Sequence, residues 1–274
     1  MTLNLYIYSG LGNIIAIVDS VREDISLDTE DVLNLHENKG VNFDQLIQVL
    51  PPQDPEIDFD VKIHNNDGSV ASNCINGARC VAKFIEDHSL SASKQLKVNT
   101  IGGIWRLESM NEGNYSATFL LSDVIKPICI SLEEMDVNLD CISLGNPHGV
   151  AFEETNPKLD LLKVGKDLQN NSLFPDGVNF GLANKVSSNE INLRVYERGA
   201  GETLACGSGA CAAAVIGIAN KEMITPVKVN FQLGSLLVDY KKENNMNSAI
   251  GYAAFVEEIV IERKKKKKLL TLNK

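Results

Sequence analysis

The sequence predicts an α+β fold made by internal duplication: two pseudo-symmetric halves, each a set of mostly antiparallel strands around a central apolar helix, with a ligand cleft between them. Three observations carry this. Segments recur in the same order at a nearly constant offset. Apolar residues alternate with period two in the segments between them, which is the pattern of a half-buried strand. In each half a Gly/Asn/Ser-rich stretch containing a cysteine runs straight into an apolar, Ala-rich run long enough for a helix. A chain of 274 residues is comfortable for two such halves.

Taken in chain order, Gly12-Asn13, ahead of the apolar Ile15-Ala-Ile17-Val, returns as Gly145-Asn146 ahead of Val150-Ala-Phe152. The cap residues Asp28-Thr29 predict a peripheral helix through Asp31–Asn38. The alternating Ile57, Phe59, Val61 and Ile63 match Ile191, Leu193 and Val195 in the second half. Cys74-Ile-Asn-Gly77-Ala78 returns as Cys206-Gly-Ser-Gly209-Ala210. Each cysteine precedes its helix, marked by Val81, Ala82, Phe84 and Ile85 in one half and by Ala212 to Ile216 and Ile218 in the other. Lys97-Val-Asn finds its counterpart in Lys228-Val-Asn, and the spacing between partners hardly changes from one pair of segments to the next. The halves are placed at residues 1–118 and 119–250, with a Lys-rich tail at 264–274.

Composition limits the function classes. With 44% apolar and 23% charged residues the chain reads as an ordinary globular protein. Its formal charge of −10 and pI near 5.0 argue against a nucleic-acid surface, which needs a basic stripe. The one basic block, Lys264 to Lys268, reads as a solvated tail. No run reaches the roughly 18–20 apolar residues of a membrane span, and the N-terminus makes a poor signal peptide. None of the six cysteines shows the C-x₂-C spacing of a zinc site. Reduced thiols in a cytoplasm are the expectation.

Cys74 and Cys206 carry the chemistry. A cysteine at a helix N-terminus feels the positive end of the macrodipole, which favours its thiolate. The unpaired amides of the same turn can hold a carboxylate. If both halves face one cleft, the amides of Ile75 and Asn76 and of Gly207 and Ser208 could grip one carboxylate, with the ligand Cα between the two sulfurs. One sulfur then removes the α-proton while the other delivers a proton to the opposite face. This scheme needs no metal and no organic cofactor, and its partner is a small amino acid. His148, in a Gly/Asn/Pro turn, and Glu197, shortly before Cys206, are the groups placed to tune the thiols. Cys80 and Cys211 read as packing residues, and Cys129 and Cys141 as incidental.

These residues resemble a known family. Tyr196-Glu-Arg-Gly-Ala-Gly-Glu-Thr203 followed by Ala205-Cys-Gly-Ser-Gly-Ala-Cys211 is similar to the second-cysteine signature of the diaminopimelate epimerases. Asn65-x-Asp67-Gly68-Ser69 with Cys74-x-Asn76-Gly77-Ala78-Arg79 resembles their first. Gly10-x-Gly12-Asn13, Phe43-Asp44-Gln45 and Gly145-Asn146-Pro147-His148 follow the same order, so the likeness runs over residues 3 to 262. The resemblance implies epimerisation of LL-2,6-diaminopimelate to the meso isomer, in lysine and peptidoglycan-precursor synthesis. It implies Cys74 and Cys206 as the acid/base pair, with His148 and Glu197 adjusting their protonation. It implies that Asn13, Gln45, Asn65, Asn146, Asn179, Glu197 and Arg198 hold the substrate, and that residues 251–263 return as a strand to the first half. The sequence departs from the family pattern at Ile75, Asn42 and Leu233, where glycines are usual, and at Ile14, where an acid is usual. An isoleucine at position 75 is expected to resist φ > 0 and to narrow the approach to Cys74. A racemase of another amino acid and a catalytically silent amino-acid-binding homologue remain the alternatives. The oligomeric state is open, a homodimer included.

Overall fold

A computed structural model describes residues 2–121, 125–132 and 135–262 of the chain. The Lys-rich segment 264–274 lies outside these residues. The first part of the chain forms β1 (Thr2–Gly10), β2 (Asn13–Asp19), α1 (Thr29–Leu33), β3 (Gln45–Leu50), β4 (Phe59–Asn65) and β5 (Val70–Ala71). It continues through α2 (Ile75–Asp87), β6 (Gln95–Thr100), β7 (Gly103–Ser109) and β8 (Asn114–Leu120). The second part repeats this pattern with β9 (Lys126–Ser131), β10 (Asp136–Ser143), β11 (Pro147–Phe152), α3 (Leu161–Gln169), β12 (Asn179–Ser187) and β13 (Glu190–Glu197). It closes with β14 (Gly201–Thr203), α4 (Gly207–Ala219), β15 (Val227–Phe231), β16 (Gly234–Lys241) and β17 (Met246–Tyr252). The last described strand, β18 (Ala254–Glu262), crosses back and pairs antiparallel with β1 along its whole length.

The duplication shows in the pairing. Along β1, β2, β3, β4, β6, β7 and β8 the contacts run antiparallel, parallel, antiparallel, parallel, antiparallel, antiparallel. Along β10, β11, β12, β13, β15, β16 and β17 the same series recurs. β8 and β17 then join antiparallel, with Ala117 opposite Ala249, so one sheet runs through both halves. The two parallel contacts per half arise where a helix intervenes between paired strands, since only a crossover can return the chain in the same direction.

Layering follows from alternation along the strands. On one face of the first half, Leu3, Leu5, Ile7, Ala16, Val18 and Leu46 pack against Val32 of α1 and the Leu35 that follows it. On the other face, Tyr8, Ile15, Ile17, Ile47 and Val49 pack on α2 through Val81, Phe84 and Ile85. The second half buries Leu139, Ala151, Phe180 and Leu182 against Leu161, Val164 and Leu168 of α3, and its other face against α4. Residues of α2 and α4 share one continuous apolar core. α4 is apolar around its whole circumference, as a helix enclosed on all sides must be.

The predicted peripheral helix is present, capped by the Asp28 side chain, which accepts from the Asp31 N–H. It widens over Asn34–Asn38 into a looser turn. Its counterpart α3 is a helix that the sequence reading lacks, although Asp160 caps it by accepting from Leu162 and Lys163. The strand expected from Ile57 begins at Phe59. None of the described helices is long and apolar enough to cross a membrane.

Candidate active site

Both cysteines are the N-caps of the two central helices. The Cys74 Sγ accepts from the Gly77 N–H at 3.1 Å, and the Cys206 Sγ accepts from the Gly209 N–H at 3.4 Å. Both residues sit in extended backbone, φ −152° and −134°, before the first helical residue. Ser, Thr, Asp and Asn are the residues that cap helices best, and sulfur is a weak acceptor. A cap chosen for stability alone would not be cysteine at both equivalent positions.

The two helix starts open on one cavity of about 870 Å³, lined by Cys74, Ile75 and Asn76 of the first half and Cys206, Gly207 and Ser208 of the second. The N–H groups of a first helical turn point out along the helix axis, here into that cavity. The helices meet closely: a Cβ placed on Gly207 would lie 2.6 Å from the Asn76 Oδ1 and 3.1 Å from the Ile75 Cβ. The glycine is therefore required by contact between the halves. Ile75 corrects an expectation. It is the first residue of α2 and is not among the positions with φ > 0, and its side chain is buried in the shared core. It is accommodated without backbone strain.

The polar wall is built by strand ends. Gln45 opens β3 directly opposite Asn65 at the end of β4, and the Gln45 amide donates to the Asn65 carbonyl at 2.9 Å. The Asn13 amide donates to Asp44, which also accepts the Ile14 N–H. In the second half, β11 and β12 run parallel with His148 beside Asn179. The Asn179 carbonyl accepts the Arg198 N–H at 3.0 Å, and the Arg198 guanidinium donates to the Asp176 carbonyl. Asn13, Gln45, Asn65, Asn146, Asn179, Glu197 and Arg198 all line the same cavity.

His148 does not line it. The imidazole is 2% exposed and lies behind Asn146, whose Oδ1 is 3.1 Å from its Nε2. Burial lowers its pKa to about 3, so the ring is neutral at physiological pH and able to accept a proton through one nitrogen. Glu197 is nearly buried, and that burial pushes its carboxyl up, against the hydrogen bonds from Thr203 and Cys206 that pull it down. The Cys206 Sγ is 3.3 Å from the Glu197 Oε2 and donates to it.

The thiols themselves differ from the expectation of a favoured thiolate. Burial pushes Cys74 up to about 11, outweighing the Gly77 N–H and the Arg79 guanidinium, which pull it down. Burial and then the Glu197 charge push Cys206 well above its ordinary value. Removing water from a thiolate costs more than one helix terminus returns. Cys80 and Cys211 are fully buried, as packing residues should be.

Sequence reasoning does not single out Asp44, Asp67, Thr203 or Glu202 as site residues, yet all four line the cavity. Asp44 carries a usable signal, because it stands between Phe43 and Gln45 at the start of an apolar strand. Thr203 and Glu202 belong to the three-residue β14, too short for any periodicity to show.

The family model described as diaminopimelate epimerase matches residues 5–124 and 141–256, which reaches into both halves. A diaminopimelate epimerase of Nitrosospira multiformis is 34% identical over 266 residues, covering 92% of this chain and 96% of that protein. One of Blochmanniella pennsylvanica is 34% identical over 261 residues, covering 90% and 95%. Among solved structures, a probable proline racemase of Agrobacterium radiobacter superposes with a TM-score of 0.71 at 12% identity, covering 96% of this chain and 93% of that one. A phenazine biosynthesis protein of the PhzF family from Bacillus anthracis gives 0.68 at 15%, covering 96% and 100%. At such identities the structural likeness speaks for the fold alone. The sequence relatives and the match across both repeats say more: the chain belongs to the diaminopimelate epimerase family.

Proposed function

We propose that this protein converts LL-2,6-diaminopimelate to the meso isomer by two-base proton transfer, in lysine and peptidoglycan-precursor synthesis. The observation that carries the reading is the pair of N-cap sulfurs, Cys74 and Cys206, at equivalent places of the duplication and opening on one cavity. On this reading one sulfur, as thiolate, takes the α-proton, and the opposite S–H gives a proton to the other face of Cα. The stereocentre is inverted, and the two sulfurs exchange protonation states. On this reading the negative charge that develops on the α-carboxylate falls where the first-turn N–H groups of Ile75, Asn76, Gly207 and Ser208 face the cavity, and those donors stabilise it. Glu197, which accepts from Cys206, supplies a site for the proton that this thiol must lose before acting as base.

The remaining lining supports a substrate with a second zwitterionic end. A distal carboxylate and ammonium need compensation for lost hydration, and Arg198 with the amides of Asn13, Gln45, Asn65, Asn146 and Asn179 offers donors and acceptors of both kinds. A proline or other single-ended amino acid would reach few of these distal groups. Free thiols fit a reducing, cytoplasmic setting.

The test is solvent exchange. Reduced protein incubated with LL-diaminopimelate in deuterated water should yield meso product carrying one α-deuterium. Cys74→Ala and Cys206→Ser should each lower that incorporation by at least about a thousandfold, while Cys206→Ser, which restores a preferred cap, should leave the melting temperature unchanged or raised. Exchange seen only with proline or another single-ended amino acid would establish the racemase instead.

A further inference from the structure

Arg79 is a charged side chain where the fold has least use for one. It lies one turn into α2 and is fully buried, in the layer where α2, α4 and β17 meet. A Cβ on Gly251 of β17 would lie 3.5 Å from its Nε. Among the described residues, the ionisable groups that act on it are the thiols Cys74 and Cys80, from its own helix and its cap, and Cys211 of α4. No carboxylate is among them. Its Nε has no hydrogen-bond partner, and an arginine does not shed its proton in proteins. A buried guanidinium without a carboxylate partner is expensive beside a well-packed apolar side chain. Packing alone does not account for it.

What the guanidinium does touch lies at the catalytic end of the helix. A side chain in a helix leans toward the N-terminus, and here Nη1 donates to the Ile75 carbonyl at 3.3 Å and Nη2 to the Asn76 Oδ1 at 2.8 Å. These are the two residues that follow Cys74. Asn76 is in turn the group against which Gly207 of α4 closes. Arg79 therefore fixes the side chain that spans the two helix starts. It also sets one positive charge behind Cys74, while the pseudo-symmetric position on α4 is occupied by the neutral Cys211.

We propose that Arg79 is a positioning residue for the reaction: it holds the two N-terminal turns in register through Asn76, and its charge makes Cys74, rather than Cys206, the sulfur that more readily carries the negative charge. The duplication supplies two equivalent thiols, and this one unmatched charge makes them unequal. Glu197 acts in the same direction from the other side, since its carboxylate disfavours a thiolate at Cys206 beside it. The inference rests on the proton-transfer reading above.

The experiment follows each sulfur by itself. Iodoacetamide alkylation is measured against pH by peptide mass spectrometry, at Cys74 in Cys206→Ser and at Cys206 in Cys74→Ser, so that the exposed Cys129 and the half-buried Cys141 are counted apart. With Arg79 present, Cys74 should alkylate at the lower midpoint; the reverse order overturns the proposal. Adding Arg79→Met, which keeps the bulk of the side chain and removes the charge, should lower the Cys74 alkylation rate at mildly alkaline pH by about tenfold or more, a midpoint displaced by about one pH unit, and move Cys206 less. Arg79→Lys, a point charge without the fork, should keep the Cys74 midpoint while raising KM for LL-diaminopimelate, because Asn76 loses its clamp. Equal displacement of both midpoints by Arg79→Met, or none, with the protein folded, refutes it. Where Arg79→Met does not fold, the order of midpoints with Arg79 present and the Arg79→Lys pair of readouts decide alone. An enzyme that exchanges no α-proton of diaminopimelate, yet shows the predicted order of thiols, would sink the substrate assignment and leave Arg79 standing.

Discussion

At the scale of single residues, the cavity is a place where ordinary preferences are overruled by burial. His148 is the clearest case for a solution measurement. Its pKa falls from 6.5 to about 3 on folding because the ring is enclosed, so between those values the unfolded chain binds a proton that the folded chain does not. Stability is therefore complete above pH 6.5 and declines as pH falls through that window, by about 2 kcal/mol at about pH 5 from this group alone. Chemical denaturation at neutral pH and near pH 5 should show this loss, and His148→Gln should remove most of it; an unchanged pH dependence in the variant would show the ring to be hydrated. Legibility at this scale was uneven. The cysteines were visible because each stands between a flexible Gly/Asn/Ser stretch and an apolar run, twice. Arg79 was not, since a charged residue in a helix reads as a solvated one unless the packing around it is known. For Ile75 the concern over φ > 0 does not arise, because it is the first residue of α2, directly after the Cys74 cap, and has helical backbone.

At the scale of elements, the helices show how contact overrides propensity. Gly165, inside α3, should by propensity alone be improved by alanine, by about 1 kcal/mol. A Cβ there, however, would fall inside the van der Waals envelope of the Tyr196 ring on β13. Gly165→Ala is expected to destabilise by about 1–3 kcal/mol and, because Tyr196 precedes Glu197, to lower the rate of α-exchange as well. A stabilised variant in thermal melts would contradict this. The strands were legible where one face is buried and alternation is clean, as in β4 and β13. β14 and β5, at three and two residues, were not, because nothing so short can display a period. α3 escaped notice because Leu161, Val164 and Leu168 are interrupted by lysines and by Gly165, although Asp160 supplied a cap signal that could have been read.

At the scale of the whole molecule, the halves are joined at several places that are separate in sequence. β8 and β17 pair across the seam, and α2 and α4 share one core. The β1–β2 turn also lies against the β15–β16 turn, so closely that a Cβ on Gly12 would overlap the Leu233 Cδ1. Calorimetric unfolding is accordingly expected to show one cooperative transition, with calorimetric and van't Hoff enthalpies in agreement. Two resolved transitions would mean that the shared core does not couple them. The duplication, and with it the two-halved fold, was readable from offsets alone, because four segments recurred in order. What offsets could not give was which face of each half turns inward, since that depends on the joint packing of α2 and α4.

The return of β18 to β1 has a consequence for how the molecule is made. Of the described strands, β1 emerges from the ribosome first, and its outer neighbour emerges last. The stretch from β9 to β17 is contiguous and contains every strand it pairs with internally, so it can close as soon as it is released. The half that carries Cys74 cannot complete its sheet until the ribosome has passed Glu262. The first-made half is the last to be finished, and a nascent chain stalled or cleaved between β17 and β18 holds both cysteines but leaves β1 with an open edge.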